Sequence, residues 1–590
     1  MRLPESALSP RWLRFALIVG LASVLFVVVW WPMFRNYPGT PIEDGHYFFH
    51  QIEISKAALK RYHELPLWNP FDCRGIPMWD HPENITASPI FYLTLPFSTG
   101  VTVIVWQMAH VVVGFLGMWL LCRDDLRLSR GATFVAALAW SFGTVHNQYA
   151  GEHLAFISFY HAPLLLFAWR KAEHSWNWAV GTGLLLALMV YDGATYPLPL
   201  TVVFLGIETL TRLTSMKRAL RVAAVGGVVG LVSFTIGASR IIPIQDQFAS
   251  HSRVMDDDWD HLARLKTWAD MYVLRSPHWR ARIEGQQYVL GEYHAYIGWL
   301  GVLLLFIGIA CAGGETWWLL VTSCALVILM LGHFAKWAPW TFLHAHVPPF
   351  KSMRVPARFR LLLAMPIAAY MAFAIDRFPV AIRRWIGKPD LADSFRVALL
   401  AIGIFAAGDS AGLFTQILEY RFMDPPPAQV TPSTRFYYGG SDLSGDFANQ
   451  PRQNHAWLGC RAAWAYNASA AVWTGDVPQA RAVDDGAVIE VANRTHNTFT
   501  VDVDVKRPSR IHLNSAYERG WQTNVGQVVD DNHLLSLDLP PGKHHIQMRY
   551  WPRRLTLGLC ISALGLIGSL AFLGRHRIRT ALRRGPSTPK

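Results

Sequence analysis

Two adjacent carboxylates, Glu43 and Asp44, stand in the run Ile42-Glu43-Asp44-Gly45-His46, immediately after the first long apolar block of the chain. A carboxylate close to a bilayer loses solvation in its charged form, holds its proton more tightly and so approaches the working range of a general base. The same pair also suits a solvated helix start, where an acid caps free N–H groups and meets the positive end of the helix dipole. A second constellation is cationic: Lys351, Arg354, Arg358 and Arg360 lie within ten residues, just ahead of another apolar block. Arg354 and Arg358 are four apart, so a helix that begins a turn early puts them on one face, where two guanidinium forks can converge on a phosphate. Snorkelling to lipid headgroups is the alternative use of the same residues.

Other ionisable residues gather near the ends of apolar blocks: His146, Glu152, His153, Asp192 and the pair Glu292 and His294. Groups at such depth are expensive and usually face a cavity, and their concentration toward one side favours a shared one. Asp409 is a further ionisable residue inside an apolar block. Between the first two blocks runs a proline-rich stretch, Leu65-Pro-Leu-Trp-Asn-Pro70, followed by Arg74-Gly-Ile-Pro77 and Asp80-His81-Pro82. Repeated Pro-containing turns with aromatics read as an ordered loop rather than a linker. They name no reaction.

The elements that must position these residues follow from composition. Of 590 residues 52% are hydrophobic and only 16% charged, too few charges for a soluble chain of this length. Apolar residues cluster in blocks near 12–34, 101–122, 131–146, 154–170, 177–191, 198–212, 221–241, 295–312, 316–333, 359–376, 396–416 and 554–574. That pattern predicts about twelve transmembrane helices. The formal charge of +13 invites a nucleic-acid reading, but the basic residues sit in short loops between apolar blocks, which is the positive-inside pattern. Nucleic acid is therefore excluded as a partner. Arginines before the first block and after the last predict cytoplasmic termini, and the first block is too long for a cleaved signal.

This topology leaves segments 35–100, 242–294, 334–358 and 417–553 outside, with Gly45 to Tyr62 expected to lie along the membrane surface as an amphipathic helix and Ser88 to Phe97 to be interfacial or re-entrant. From Ala487 the sequence turns to alternation, as in Thr498-Phe-Thr-Val-Asp-Val-Asp-Val505, with further strands expected at 510–516 and 544–550. The organisation expected is thus a polytopic α-helical domain over 1–416, an extracytoplasmic antiparallel β-sandwich-like domain over 417–553, and a last helix with a basic tail over 554–590. Six cysteines form no CxxC pair. Cys73 and Cys460 are the two assigned to the outside, where disulfides persist, and are expected to pair.

The chain resembles the YfhO-type family of bacterial membrane proteins, a branch of the GT-C glycosyltransferases. The resemblance rests on Leu65-Pro-Leu-Trp-Asn-Pro-Phe71 with Gly75-Ile-Pro77, on Tyr296-Ile-Gly298 and Arg354-Val-Pro-Ala-Arg-Phe359, and on Gly520-Trp521, Leu539-Pro-Pro-Gly-Lys-His544 and Tyr550-Trp-Pro552. It implies transfer of a sugar from a polyprenyl-phosphate carrier to an envelope glycan or lipid acceptor on the outer side of the cytoplasmic membrane. An acid of the first outer loop would act at the active centre, Asp44 or its neighbour Glu43. Arg354 and Arg358 would hold the lipid phosphate, and Glu292 or His294 would orient sugar or acceptor. Lys351, His153, Arg74, Asp80 and His81 are further candidates for substrate or phosphate binding. A divalent metal is possible but not implied, and no other cofactor is expected. A transporter or flippase for lipid-linked sugars, or a scaffold for envelope assembly, would use the same architecture without a base.

Overall fold

The computed structural model describes residues 10–37, 39, 44–147, 149, 153–251, 253, 262, 264–420, 436–439, 450–461, 466 and 469–583. Every one of the twelve apolar blocks contains a helix. In chain order these are α1 (Pro10–Val29), then α2 (Asp44–Arg61) in the segment between blocks, α3 (Thr99–Leu120), α4 (Arg130–Phe142), α5 (Ala162–Ala172), α6 (Trp176–Tyr191), α7 (Pro197–Thr211), α8 (Met216–Ser250), α9 (Gly298–Cys311), α10 (Trp317–Met330), α11 (Arg360–Ile386), α12 (Pro389–Glu419) and α13 (Leu555–Arg583). Among the described residues, seven helices are long and apolar enough to cross a membrane, with Trp176–Tyr191, Pro197–Thr211 and Trp317–Met330 as shorter apolar helices.

Local chemistry sets the starts. Ser98, Ser129 and Ser215 cap α3, α4 and α8, each side chain accepting the N–H three residues on. The block expected at 154–170 is not one α-helix. Its first part, Leu154–His161, is a 3-10 helix, and α5 follows with Pro163 in its first turn, where the missing N–H is harmless.

Helix α11 is the centre of the bundle. Nearly every residue from Arg360 to Ile375 is buried, and α4, α9 and α12 pack around it. Gly308 of α9 permits the closest approach: a Cβ there would lie 1.8 Å from the carbonyl oxygen of Tyr370. Helix α13 packs on α8 through polar glue, Ser562 Oγ accepting from Ser239 N at 2.9 Å and donating to Ile236 O at 2.8 Å. At 35 residues α8 is roughly 50 Å long, more than the ~30 Å hydrocarbon core. The excess carries Gln247 to Asp80 in the segment between α2 and α3, and brings His251, just past its end, to Glu518 of the β-rich unit.

That unit is two four-stranded sheets. Its strands are β1 (Ala480–Ala482), β2 (Ala487–Arg494), β3 (Thr498–Val505), β4 (Ser509–Ala516), β5 (Trp521–Thr523), β6 (Gln527–Asp531), β7 (Leu534–Leu539) and β8 (Gly542–Tyr550). One sheet has the order β6-β7-β4-β1 and the other β2-β3-β8-β5, with antiparallel neighbours throughout. The period-two pattern does what it must. Phe499, Val501, Val503 and Val505 all point inward from β3, and Val501 and Phe499 pair with the inward Ile546 and Met548 of β8.

The core of the sandwich also contains Leu67, Trp68, Trp79 and Ala87 from the segment between α2 and α3. Trp68 is fully buried, with ring centroids 5.2 Å from Trp521 and 4.7 Å from Tyr550. Asn497 grips the same segment, its Oδ1 accepting from Leu67 N and Trp68 N and its Nδ2 donating to Leu65 O. Cys73 and Cys460 form a disulfide, as expected. The reading of α2 as an amphipathic surface helix needs correction: its polar positions His50, Gln51, Glu53 and Lys56 are all buried. Protein covers that face, with Arg452 pairing to Glu53 and Lys56 Nζ donating to Phe97 O and Thr102 Oγ1.

Asp80 and His81 lie at this junction. Gln247 Nε2 donates to Asp80 Oδ2 at 2.8 Å and Tyr550 Oη donates to the same oxygen at 3.3 Å. Burial raises the Asp80 carboxyl from its ordinary 3.8 to about 7. His81 accepts Glu83 N at Nδ1 and so gives its Nε2 proton to Tyr47 Oη, 3.2 Å away. Burial, then the charges of Arg240 and Arg253, push it down to about 3.

Two outcomes are expected from these contacts. Gly308→Ala should force α9 off α11 and lower stability by about 1–3 kcal/mol, whereas Gly181→Ala, with nothing within 4 Å, should not. Equal thermal midpoints for the two variants would refute the close approach. Because the folded state holds the Asp80 proton that the unfolded chain releases above about 3.8, the stability tied to that proton is full below 3.8 and is lost as pH rises to about 7. Asp80→Asn should therefore gain thermal stability relative to wild type across that interval, and a constant difference between the two would refute the assignment.

Candidate active site

The first residue of α2 and the 3-10 turn before α11 face one another across a cavity of about 140 Å³, lined by Asp44, Tyr47, Phe48, Glu83, His153, Phe156, Tyr196, Arg253, Arg354, Arg358 and Arg461. Asp44 sits at a helix start, where its charge is favoured. Its Oδ2 accepts a hydrogen bond from His153 Nε2 at 2.8 Å. The imidazole is held flat on Phe156, with centroids 4.8 Å apart and planes within 10°.

The hydrogen bond from His153 is the largest influence on Asp44, ahead of burial, which works the other way. With the fields of His153, Arg461 and Arg354 it lowers the carboxyl from 3.8 to about 2. The sequence left two readings open, a carboxylate pushed up toward neutrality and a solvated acid at a helix start. The downward shift goes against the first and with the second, because a hydrogen bond to the charged form outweighs desolvation in a side chain that is 62% exposed. Asp44 is a fixed carboxylate at any ordinary pH. Glu43 lies outside the described residues, as does Glu152.

Arg358 is placed by the turn Pro356–Phe359. Its guanidinium makes a fork to Glu292, Nε to Oε2 at 2.9 Å and Nη2 to Oε1 at 2.5 Å, and lies over the rings of Tyr196 at 4.3 Å and Phe156 at 4.8 Å. The resemblance implied that Glu292 or His294 orients sugar or acceptor; in the structure the Glu292 carboxylate holds Arg358 in place. Arg354 lines the same cavity, its backbone N–H donating to Tyr196 Oη at 3.3 Å and its guanidinium 5.5 Å from the centre of the Tyr288 ring. Arg354 and Arg358 thus both line this cavity. Arg358 reaches it already neutralised.

The remaining candidates lie elsewhere. His294 is buried and its Nε2 donates to Leu274 O at 3.0 Å, while Arg360, also buried, donates to the carbonyls of His294 and Gly291. Both brace the turn that carries Glu292. Arg74 binds through its carbonyl, which accepts from Ala516 N and Tyr438 Oη at the β junction. Asp80 and His81 are one layer behind the cavity wall, His81 touching it through Tyr47. Lys351 is exposed and does not line the cavity. Asp409 is engaged by Tyr296 and Arg275, and His146 by Tyr149 and Trp140.

Sequence reasoning missed Arg253, Arg461, Glu83, Tyr47 and Tyr196. For Arg461 a signal existed. It follows Cys460, so the expected disulfide to Cys73 draws it to the segment that carries Asp44, and its N–H donates to Asp72 Oδ1 at 3.0 Å. Four arginines against the carboxylates of Asp44, Glu83 and, paired to Arg358, Glu292 leave the cavity wall with an excess of positive charge. Such a wall can hold a phosphate-bearing ligand beside one permanently ionised acid.

No protein-family model matches the chain, and no curated protein matches it. Solved structures do. The chain is similar to the mycobacterial arabinofuranosyltransferase AftD, at 15% identity over 71% of this chain and 28% of that one, with a TM-score of 0.43. It is similar to the Archaeoglobus fulgidus oligosaccharyltransferase in its apo form, at 12% identity over 78% of this chain and 65% of that one, with a TM-score of 0.45. A third is ArnT from Cupriavidus metallidurans bound to undecaprenyl phosphate, at 12% identity over 75% of this chain and 85% of that one, with a TM-score of 0.44. The matched part thus spans little more than a quarter of AftD and just under two thirds of the oligosaccharyltransferase.

Proposed function

We propose that this chain is a membrane glycosyltransferase of the YfhO-type branch of the GT-C enzymes, moving a sugar from a polyprenyl-phosphate carrier to an envelope acceptor. In this reading about twelve helices span the cytoplasmic membrane, both termini are cytoplasmic, and the cavity and the β domain lie outside. The observation that carries the reading is the meeting of one ionised carboxylate, Asp44, with four arginines around a single cavity.

The chemistry asks for both. An acceptor hydroxyl attacks the anomeric carbon, the bond from that carbon to the phosphate oxygen breaks, and the hydroxyl proton goes to Asp44. With its carboxyl held near 2, Asp44 takes that proton late, as the new bond acidifies the hydroxyl. His153 keeps the carboxylate aimed. The charge that builds on the departing lipid phosphate falls to Arg354, Arg253 and Arg461, while Arg358, locked by Glu292 and stacked on Tyr196, forms a rigid wall of the same site.

Asp44→Asn should lower turnover by about 10²–10⁴-fold and leave binding of undecaprenyl phosphate unchanged. Envelope glycans compared by mass between strains carrying either form give the cellular readout. A variant that supports the wild-type glycan profile removes Asp44 as base and points to a lipid-linked sugar transporter. Arg354→Lys keeps the charge but loses the fork, and should weaken undecaprenyl phosphate binding by about 1–3 kcal/mol with the thermal midpoint intact. Arg358→Lys should differ in kind. It leaves Glu292 half-paired in a buried position, so the midpoint itself should fall, and an unchanged midpoint would show that the ion pair does not organise the wall.

A further inference from the structure

Behind the wall of the cavity, His110, His161 and Asp192 bring one ligand atom each to within 4.8 Å of one another, and all three side chains are buried. They come from separate elements: His110 from α3, His161 from the end of the 3-10 helix Leu154–His161, and Asp192 from the residue after α6. The proposed transfer reaction uses none of them.

The hydrogen-bonding pattern asks for a cation. His110 Nδ1 lies 2.8 Å from the carbonyl oxygen of Trp106, which only accepts, so Nδ1 carries a proton. Nε2 then faces Asp192 Oδ2 at 3.3 Å. In a neutral imidazole that contact sets a nitrogen lone pair against a carboxylate lone pair, and it becomes attractive only with a proton on Nε2 or a metal ion shared between the two. A proton there satisfies this one contact. It does nothing for His161 Nδ1, for which no hydrogen-bond partner is found among the described residues. The His161 ring lies parallel to His110, centroids 5.0 Å apart and planes within 5°, and Ser158 Oγ donates to Asp192 Oδ2 at 2.9 Å, steadying the carboxylate. An imidazole fixed by a backbone carbonyl and a carboxylate fixed by a hydroxyl are the outer supports that metal ligands characteristically carry.

We propose that His110, His161 and Asp192 bind one divalent transition-metal ion, with zinc the ion that two imidazoles and a carboxylate suit best. Bond lengths of ~2.0–2.1 Å set ligand atoms about 3.3 Å apart in a tetrahedron, so the three side chains draw inward when the ion enters. The role is structural. The ion ties α3 and the end of α6 to the 3-10 helix that begins beside His153 and carries Phe156, the two residues that hold Asp44 in place.

The test uses the full chain purified in detergent without chelator. Elemental analysis should find about one zinc per chain. 1,10-Phenanthroline should remove it with a fall in thermal midpoint that Zn²⁺ alone restores, and Co²⁺ in its place should give the visible bands of a nitrogen- and oxygen-ligated tetrahedral ion. His161→Gln and Asp192→Asn should each lose stoichiometric metal. If wild-type protein carries no metal and added Zn²⁺ leaves its midpoint unmoved, the cluster binds no ion and the proposal fails. It fails equally if folded His161→Gln and Asp192→Asn proteins keep their full zinc content. The wild-type measurements need no variant to fold, and because the readouts are metal content and stability they stand apart from any test of glycosyl transfer.

Discussion

Trp68 is the residue on which the arrangement turns. It leaves the segment between α2 and α3, enters the core of the β-sandwich and is shut off from solvent between Trp521 and Tyr550. Burying an indole removes about 150–250 Å² of surface, on the order of 4–6 kcal/mol as an upper bound. Asn497 then pins the backbone on either side, and the disulfide between Cys73 and Cys460 closes the same junction across 387 residues of sequence. The segment is held from the other side too, Trp79 Nε1 donating to Ser239 O and Arg240 to the carbonyls of His81 and Asn84. A stretch with almost no regular secondary structure is thereby as fixed as the helices, and α2 with Asp44 at its tip is fixed with it.

The cavity shows how a cationic wall is built without collapse. Four guanidinium groups around about 140 Å³ would repel one another if all were equivalent. They are not. Arg358 is neutralised by Glu292 and rests against the adjoining rings of Phe156 and Tyr196, so it serves as a wall, and Arg360 spends its donors on backbone carbonyls. A buried pair of this kind gains little stability over an apolar replacement, since desolvation offsets most of the attraction. What it supplies is position: Glu292, Arg358 and Tyr196 fix each other, and Tyr196 also receives the backbone of Arg354.

The 3-10 helix Leu154–His161 links this wall to the buried histidine and aspartate cluster. One end presents Phe156 to His153 and Arg358, and the other presents Ser158 and His161 to Asp192 and His110. Eight residues in the tighter 3-10 form are longer than that geometry usually sustains, and all eight are buried. Packing on every side, and contacts at both ends, keep the segment in a conformation its own hydrogen bonds would not maintain.

Sequence alone determined the parts whose signal is local. Block length and charge placement gave a helix in every apolar block, because a helix satisfies its own backbone wherever it lies. Strict alternation in Thr498–Val505 gave a strand, because its period allows one face to be buried and no other reading fits. Compartment logic singled out Cys73 and Cys460 as the two cysteines able to pair, and the folded chain supplied the distance. Tertiary structure alone decided what depends on neighbours distant in sequence. Whether the polar face of α2 met water or protein turned on residues such as Arg452, nearly 400 positions away. The direction in which Asp44 titrates turned on His153, more than 100 residues on, and the role of Glu292 on Arg358, 66 residues on. Arg253 carried no local mark that separated it from other loop arginines, and only the folded chain brings it to the cavity. Periodicity and charge are properties of a segment, whereas a site is a property of the distances between segments, and those are set by packing.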